Sequence, residues 1–449
     1  MNTYAWMTGS ENTNRYFAFS NLVSMKTIMP FIFSLVVTAG AGQNLQQYYS
    51  EAMAAYKAKD YPQFYEKIRE ANKIHPYHQG VLYQLGIAAA LMGKKEEAIQ
   101  YLEKAILINT DFKLEGIADF NSIKSSPEFR KLLALQKEWQ SPVVHSATAF
   151  VVKDRSLHTE GIEYDPAHKT FYLGSIHKRK IIKVTSDGKP TDFCASAVEG
   201  MTSLFGIKVD VKRNLLWACS SPMEEMENYD SLARSAVFQF ELSSGKLLHR
   251  YAVQLNKNNS VFGDLILTKD GKVLISDSRN NEIYSINEKT NQIEPYYSSP
   301  EFWNIQGMVF SQDEKYLFIA DYVKGVFRLT VKTRELIEVK NNAEVSTGGV
   351  SLKGIDGIYF YNNSLIAIQN GVTPSRSTRY FLNKGFDEIV GFEIIDRKHP
   401  AFGEPTLGVI DGKDFYYIAN SQWGGYNDKH QIKPDDQLQD IVVLRCTLK

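Results

Sequence analysis

One phrase, repeated six times through the C-terminal two-thirds of the chain, limits its fold more than any other feature. A small turn opens an apolar strand, a tight turn follows, and a second strand ends on a small polar residue. The copies begin with Glu160-Gly-Ile-Glu-Tyr-Asp and Thr170-Phe-Tyr-Leu-Gly-Ser, then Phe205-Gly-Ile-Lys-Val-Asp and Leu215-Leu-Trp-Ala-Cys-Ser. Gly263-Asp-Leu-Ile-Leu pairs with Val273-Leu-Ile-Ser-Asp-Ser, and Gln306-Gly-Met-Val-Phe with Tyr316-Leu-Phe-Ile-Ala-Asp. The last two are Asp356-Gly-Ile-Tyr-Phe with Leu365-Ile-Ala-Ile-Gln-Asn, and Glu404-Pro-Thr-Leu-Gly with Phe415-Tyr-Tyr-Ile-Ala-Asn. Second strands read as ending at Asp277, Asp321, Asn370 and Asn420 lie 44, 49 and 50 residues apart. Short strands at that period predict a β-propeller, and six copies predict six blades. Such a ring gathers the first residues of its inner strands around one tunnel, where distant parts of the sequence can build a site.

Outer strands such as Ala236-Val-Phe-Gln-Phe-Glu-Leu alternate apolar and polar residues, as half-buried strands do. A strand at each end, Ala147-Thr-Ala-Phe-Val-Val and Asp440-Ile-Val-Val-Leu-Arg-Cys-Thr-Leu, is left over from the repeats. Both are expected in one blade, closing the ring and removing exposed sheet edges.

Upstream, residues 44–112 repeat with a helical period. Ala54 and Ala88, Ala71 and Ala105, and Ile74 and Ile108 are each 34 apart. This resembles the tetratricopeptide repeat, in which small residues let paired helices pack closely. The segment from Ile117 to Leu133 reads as a divergent capping unit, and the helices either brace the propeller or bind a partner. The expected organisation is an extension and export signal over 1–42, a small all-α domain over 43–139, and the propeller over 140–449. Gln140-Ser-Pro marks that boundary, since a proline disfavours helix in the residue before it. A basic start at Met25-Lys, an apolar run and then Thr-Ala-Gly-Ala-Gly read as a secretory signal peptide. The expected location is a periplasm or the extracellular space, with no span long enough to cross a membrane in the mature chain.

Lys+Arg and Asp+Glu both number 51, so zero net charge gives no reason to expect nucleic acid as partner. Three cysteines, Cys194, Cys219 and Cys446, show no metal-ligand spacing and read as structural. No phosphate-binding glycine loop, zinc helix or nucleophile elbow occurs, which argues against a nucleotide cofactor and against serine hydrolysis.

Thr159-Glu-Gly-Ile, Phe262-Gly-Asp-Leu, Ile305-Gln-Gly-Met and Ile355-Asp-Gly-Ile resemble the inner-strand motifs of the gluconolactonase/regucalcin-like, six-bladed TolB-like family. That resemblance covers the propeller. It implies a divalent cation on the tunnel axis, held by a Glu, two Asn and an Asp. Glu160 and Asp356 occupy the first and last of those positions; Gln306 replaces one Asn, and Gly263, next to Asp264, replaces the other. The implied ligands are therefore Glu160, Asp264, Gln306 and Asp356, around Ca²⁺, Zn²⁺ or Mn²⁺. Asp356 would also serve as general base for a metal-activated water. Asp-Gly is equally a common turn pair, and polar residues at inner-strand starts can simply cap a solvated tunnel.

Other candidates lie in loops. Arg376, with Arg379, could hold a substrate carboxylate or phosphate. Trp423 and Tyr426 could stack on a sugar-like ring or cover the tunnel mouth. His177 sits among basic neighbours, as in a solvated hairpin. The leading functional expectation is an exported, metal-dependent lactonase or related hydrolase acting on a small molecule in the tunnel. The alternative is a non-enzymatic envelope scaffold that binds protein or glycan.

Overall fold

The structure is a computed structural model that describes residues 39–253, 260–343 and 349–449. The apolar run after Met25 lies outside the described residues. Six sheets, antiparallel apart from one short parallel pairing in blade five, form a mainly β, six-bladed propeller, with five α-helices before it among the described residues. Blades one to six have inner strands Thr159–Asp165, Ser203–Asp210, Phe262–Leu267, Ile305–Phe310, Ile355–Tyr361 and Gly408–Asp411. Ring closure follows the expected route. Ala147–Val152 is the outermost strand of blade six and pairs antiparallel with the final strand, Ile441–Thr447. The core lies between the faces of neighbouring blades; Ile162 and Leu173 of blade one, for example, pack with Ile418, Ile441 and Val443 of blade six.

The repeated phrase has a local physical cause. Each copy of X-Gly sits in a β-bulge at the entrance of an inner strand, where pairing skips from Thr159 to Ile162, Leu204 to Ile207, Ile305 to Met308 and Ile355 to Ile358. The bulge re-aims the residue before the glycine. The glycine itself is required because the next blade passes there. A Cβ at Gly307 would lie 2.6 Å from the Asp356 carbonyl oxygen, and one at Gly161 would collide with the Phe205 carbonyl.

Second strands end in polar struts that tie each inner strand to the loop after its partner. Asp277 accepts from Val261, Arg279 and Asn280 backbone N–H groups at 3.1 Å each. Asp321 accepts from those of Trp303, Asn304, Val323 and Lys324 at 2.6–3.0 Å. In blade five the pairing partner of Ile355 is Gln369, as Asp321 is that of Ile305. Gln369 therefore occupies the strut position, donating to the Ser351 and Lys353 carbonyls at 2.8 Å. Asn370, expected at that position, lies one residue beyond it and is released for other contacts.

Helices α1 (Ala39–Lys57), α2 (Tyr61–Ile74), α3 (Gln79–Leu91), α4 (Lys95–Ile108) and α5 (Pro127–Gln140) enclose their own core of Phe64, Ile68, Leu85, Leu102 and Phe129. Asp60 and Ser126 cap α2 and α5 by accepting the N–H of Gln63 and Phe129 at 3.1 Å, each with a proline in the following turn. The helices dock on blade five through two arginines that meet helix C-termini, where carbonyls lack intrahelical partners. Arg376 donates to the Leu107 carbonyl at 3.2 Å and Arg397 to that of Glu138 at 2.8 Å. Both guanidinium groups lie over the Trp139 ring, at 4.6 and 4.9 Å from its centroid. Backbone bonds between Thr110 and Thr373 (2.9 Å) and between Thr373 and Ile108 (2.8 Å) fix the register. Replacing Trp139 with Ala should remove both cation–π contacts and leave a cavity. The expected loss is about 3–5 kcal/mol, read as a lower urea midpoint, together with new proteolytic cleavage between α5 and blade six.

Candidate functional site

At the tunnel mouth the bulges of blades one and five aim Glu160 and Asp356 at a common neighbour, Thr406 of blade six. The Thr406 hydroxyl reaches Glu160 Oε2 and lies 3.1 Å from Asp356 Oδ2. Asn370 Nδ2 donates to the same Asp356 oxygen at 2.8 Å, and Tyr322 OH donates to Asn370 Oδ1 at 3.0 Å. The Trp423 indole N–H donates to Glu160 Oε1. Glu404 enters from blade six, where its backbone bridges to Asn420.

This is a field of acids acting on one another. Burial, then the charge of Asp356, raises Glu160 well above the ordinary glutamate range. Burial also raises Asp356, against hydrogen bonds from Asn370 and Thr406 that lower it. Burial and Asp356 push Glu404 up to about 7. Thr406 is fully buried and its hydroxyl carries one hydrogen, yet it touches two carboxyl groups. That one hydrogen is shared between Glu160 Oε2 and Asp356 Oδ2. Glu160, only 6% exposed, accepts from Thr406 and from Trp423 and is the more deeply buried of the two carboxyl groups. Asp356 is the more exposed of the two and has two donors, Asn370 and Thr406.

The four ligands implied by the resemblance do not converge. Asp264 is 7% exposed, accepts from its own Leu265 N–H at 2.9 Å, and belongs to a deeper group with Lys208 and Glu163, which pair at 3.0 Å. Burial raises Asp264 to about 6, with Lys208 opposing. Gln306 gives its amide hydrogen to Asn304 at 2.5 Å. Gly263 has no side chain to offer, and both oxygens of Glu160 already meet hydrogen donors. No group of three or more His, Cys, Asp or Glu residues is placed to hold a metal ion among the described residues. The donor set does not fit the implied cation.

The other candidates are engaged by contacts within the protein. Arg376 is fully buried against α4 and Trp139, where burial lowers its pKa to about 10, so it is a docking residue rather than an anion clamp. Arg379 is spent on Ser364 Oγ at 2.9 Å and the Lys449 carbonyl at 2.8 Å. Trp423, 5% exposed, covers Glu160 rather than presenting a stacking face; its ring meets His158 edge-on at 4.4 Å, and His158 in turn bonds Tyr426 OH at 2.6 Å. His177 is held by the Glu225 carbonyl at 2.7 Å. Sequence reasoning missed Thr406 and Glu404, because the sixth phrase carries Glu-Pro-Thr where the others carry X-Gly, and it read Asn370 as a strand end without pairing it with Asp356. Their common signal is that each opens or closes a copy of the phrase.

The chain significantly matches none of the protein-family models and none of the curated proteins. Among solved structures, it is similar to a PQQ-bound aldose sugar dehydrogenase from Streptomyces coelicolor, at 14% identity and a TM-score of 0.46, over 68% of this chain and 99% of that one. It is also similar to a gluconolactonase from Xanthomonas campestris, at 12% identity and a TM-score of 0.44, over 68% and 88%. A luciferin-regenerating enzyme gives 14% identity and a TM-score of 0.45, over 69% and 96%. At these values the likeness carries no functional inference, and the chain's own residues must supply one.

The buried acids set a pH dependence. A carboxyl raised on folding binds protons more tightly in the native state, so its contribution is complete below the unfolded value and lost as pH rises through the folded one. For Asp264 that window runs from its ordinary 3.8 up to about 6. Between about pH 4 and 6, wild type should lose stability relative to Asp264→Asn, by at most about 3 kcal/mol for a shift of about two pKa units. Chemical denaturation at several pH values would measure this; parallel curves would contradict the assignment.

Proposed function

We propose that this chain is a hydrolase of small lactones or related cyclic esters, acting at the tunnel mouth with Asp356 as general base and Glu404 as general acid. The observation that carries the reading is the linked set of acids: Asp356 and Glu404 are both partly exposed, both raised, and joined by Glu160, which is raised further still by burial. Enzymes that move protons near neutrality need carboxyl groups tuned in this way.

In this reading Asp356 takes a proton from water as the water oxygen bonds to the lactone carbonyl carbon. Asn370 and Thr406 fix the carboxylate through Oδ2, which leaves Oδ1 for that proton. Tyr322 fixes the Asn370 amide in the donating orientation. As the ring C–O bond breaks, Glu404 gives its proton to the leaving alkoxide, and the product is a hydroxy acid. Exchange with solvent then returns Asp356 to its ionised form and Glu404 to its protonated form. The divalent cation implied by resemblance supplies no step, because the side chains do not form a site for it. Export to a periplasm or the extracellular space remains part of the proposal, supported by the basic start and apolar run after Met25. The 34-residue helical spacing supports reading α1–α4 as tetratricopeptide-like, here acting as a brace.

A panel of lactones offered to the mature protein tests the reading. Asp356→Asn should lower kcat/KM by roughly 10²–10⁴-fold. Activity should fall as pH rises through about 7, where Glu404 loses its proton, and Glu404→Gln should abolish that limb. A chelator should leave the rate unchanged. If wild type opens no lactone faster than Asp356→Asn does, the hydrolase reading fails.

One observation favours the second reading, an envelope scaffold for protein or glycan: Trp423 closes the mouth over Glu160. Under that reading Trp423→Ala would expose the acids without creating any activity.

A further inference from the structure

Between the helices and blade five lies a cleft of about 360 Å³, a volume that suits a small ligand. Helices α2, α3 and α4, with the turn between α2 and α3, supply one wall. Ser351 and Lys353, just ahead of the inner strand of blade five, supply the other.

The base of the cleft is apolar, formed by buried Leu82, Leu107 and Ile108. Tyr77 and Tyr101 stand beside it. Tyr77 is held in place, since its ring packs edge-on against Trp303 at 6.1 Å and carries the Lys353 ammonium 4.0 Å from its centroid. A ring fixed before binding loses little freedom when a flat ligand packs on it.

The polar groups are one-sided. Lys104 and Lys353 line the cleft, and among the described residues no carboxylate does. Lys104 is exposed and makes no ion pair among the described residues. Glu301, whose charge reaches Tyr77 from blade four, is already paired with Lys324 at 2.8 Å. The cleft therefore favours an anion. It also holds an acceptor in want of a donor, because Asn72 Oδ1 is buried with no hydrogen-bond partner among the described residues.

We propose that this cleft binds an aromatic carboxylate that carries a hydroxyl. The ring packs on the tyrosines and the apolar base, the carboxylate meets the lysine charges, and the hydroxyl donates to Asn72. A neutral ligand would leave the lysines without a counter-charge, and a plain aromatic acid would leave Asn72 unpaired. The cleft shares no residue with the acids at the tunnel mouth, so the proposal stands whether or not the hydrolase reading does.

Calorimetry on the full mature chain tests it, with 4-hydroxybenzoate, benzoate and 4-hydroxybenzyl alcohol as probes. Wild type should bind 4-hydroxybenzoate about tenfold more tightly than either of the other two. Lys104→Met and Asn72→Leu should each weaken 4-hydroxybenzoate about tenfold, and Asn72→Leu should no longer distinguish it from benzoate. Lys104 is exposed, so its variant keeps the test decisive should Asn72→Leu fold poorly. Asp356→Asn should bind 4-hydroxybenzoate as wild type does. A wild type that binds none of the probes, or all three equally, overturns the proposal, as do variants at Lys104 and Asn72 with wild-type affinity. Loss of binding in Asp356→Asn would overturn it too, by placing the ligand in the tunnel.

Discussion

The close approach of neighbouring inner strands around the axis is the constraint on which the rest depends. Six strands can converge on one tunnel only where a blade lets the next backbone pass, and the X-Gly bulges are those places. The glycine supplies the room, and the bulge turns the preceding side chain toward the mouth. Packing and site construction therefore share two residues. A Cβ at Gly161 or Gly307 would push blades apart and move Glu160 or Asp356 out of reach of Thr406.

That convergence explains the electrostatics. Carboxyl groups from three blades approach one another at one end of the tunnel, and the hydroxyl between two of them has a single hydrogen to give. Burial raises all three, the charge of Asp356 raises Glu160 and Glu404 further, and Glu160 and Asp356 are held by neutral donors from Trp423, Thr406 and Asn370. Keeping a buried acid protonated costs less than keeping it charged without a partner. The same arrangement makes the group useful for proton transfer.

Docking of the helices obeys a different rule. Two arginines sit at helix C-termini, where carbonyl oxygens need donors, and Trp139 lies against both guanidinium groups. In the sequence Arg376 reads as a loop cation free to bind an anion. Nothing local reveals that α4 and α5, more than 230 residues upstream, end against it.

The blade count, the strand pairs and the closing strand were all legible in the sequence, because period-2 alternation, turn residues and glycine position are local consequences of sheet geometry. Glu160 and Asp356 were legible for the same reason, as each stands before a bulge glycine. Tertiary structure alone decided what those acids face. Whether they meet a cation or a threonine depends on Thr406, in the most divergent copy of the phrase, and on Trp423, which belongs to no repeated pattern; both come from the far end of the chain. It also moved the blade-five strut to Gln369, since strand register is set by pairing across the sheet and not by the count of residues along it.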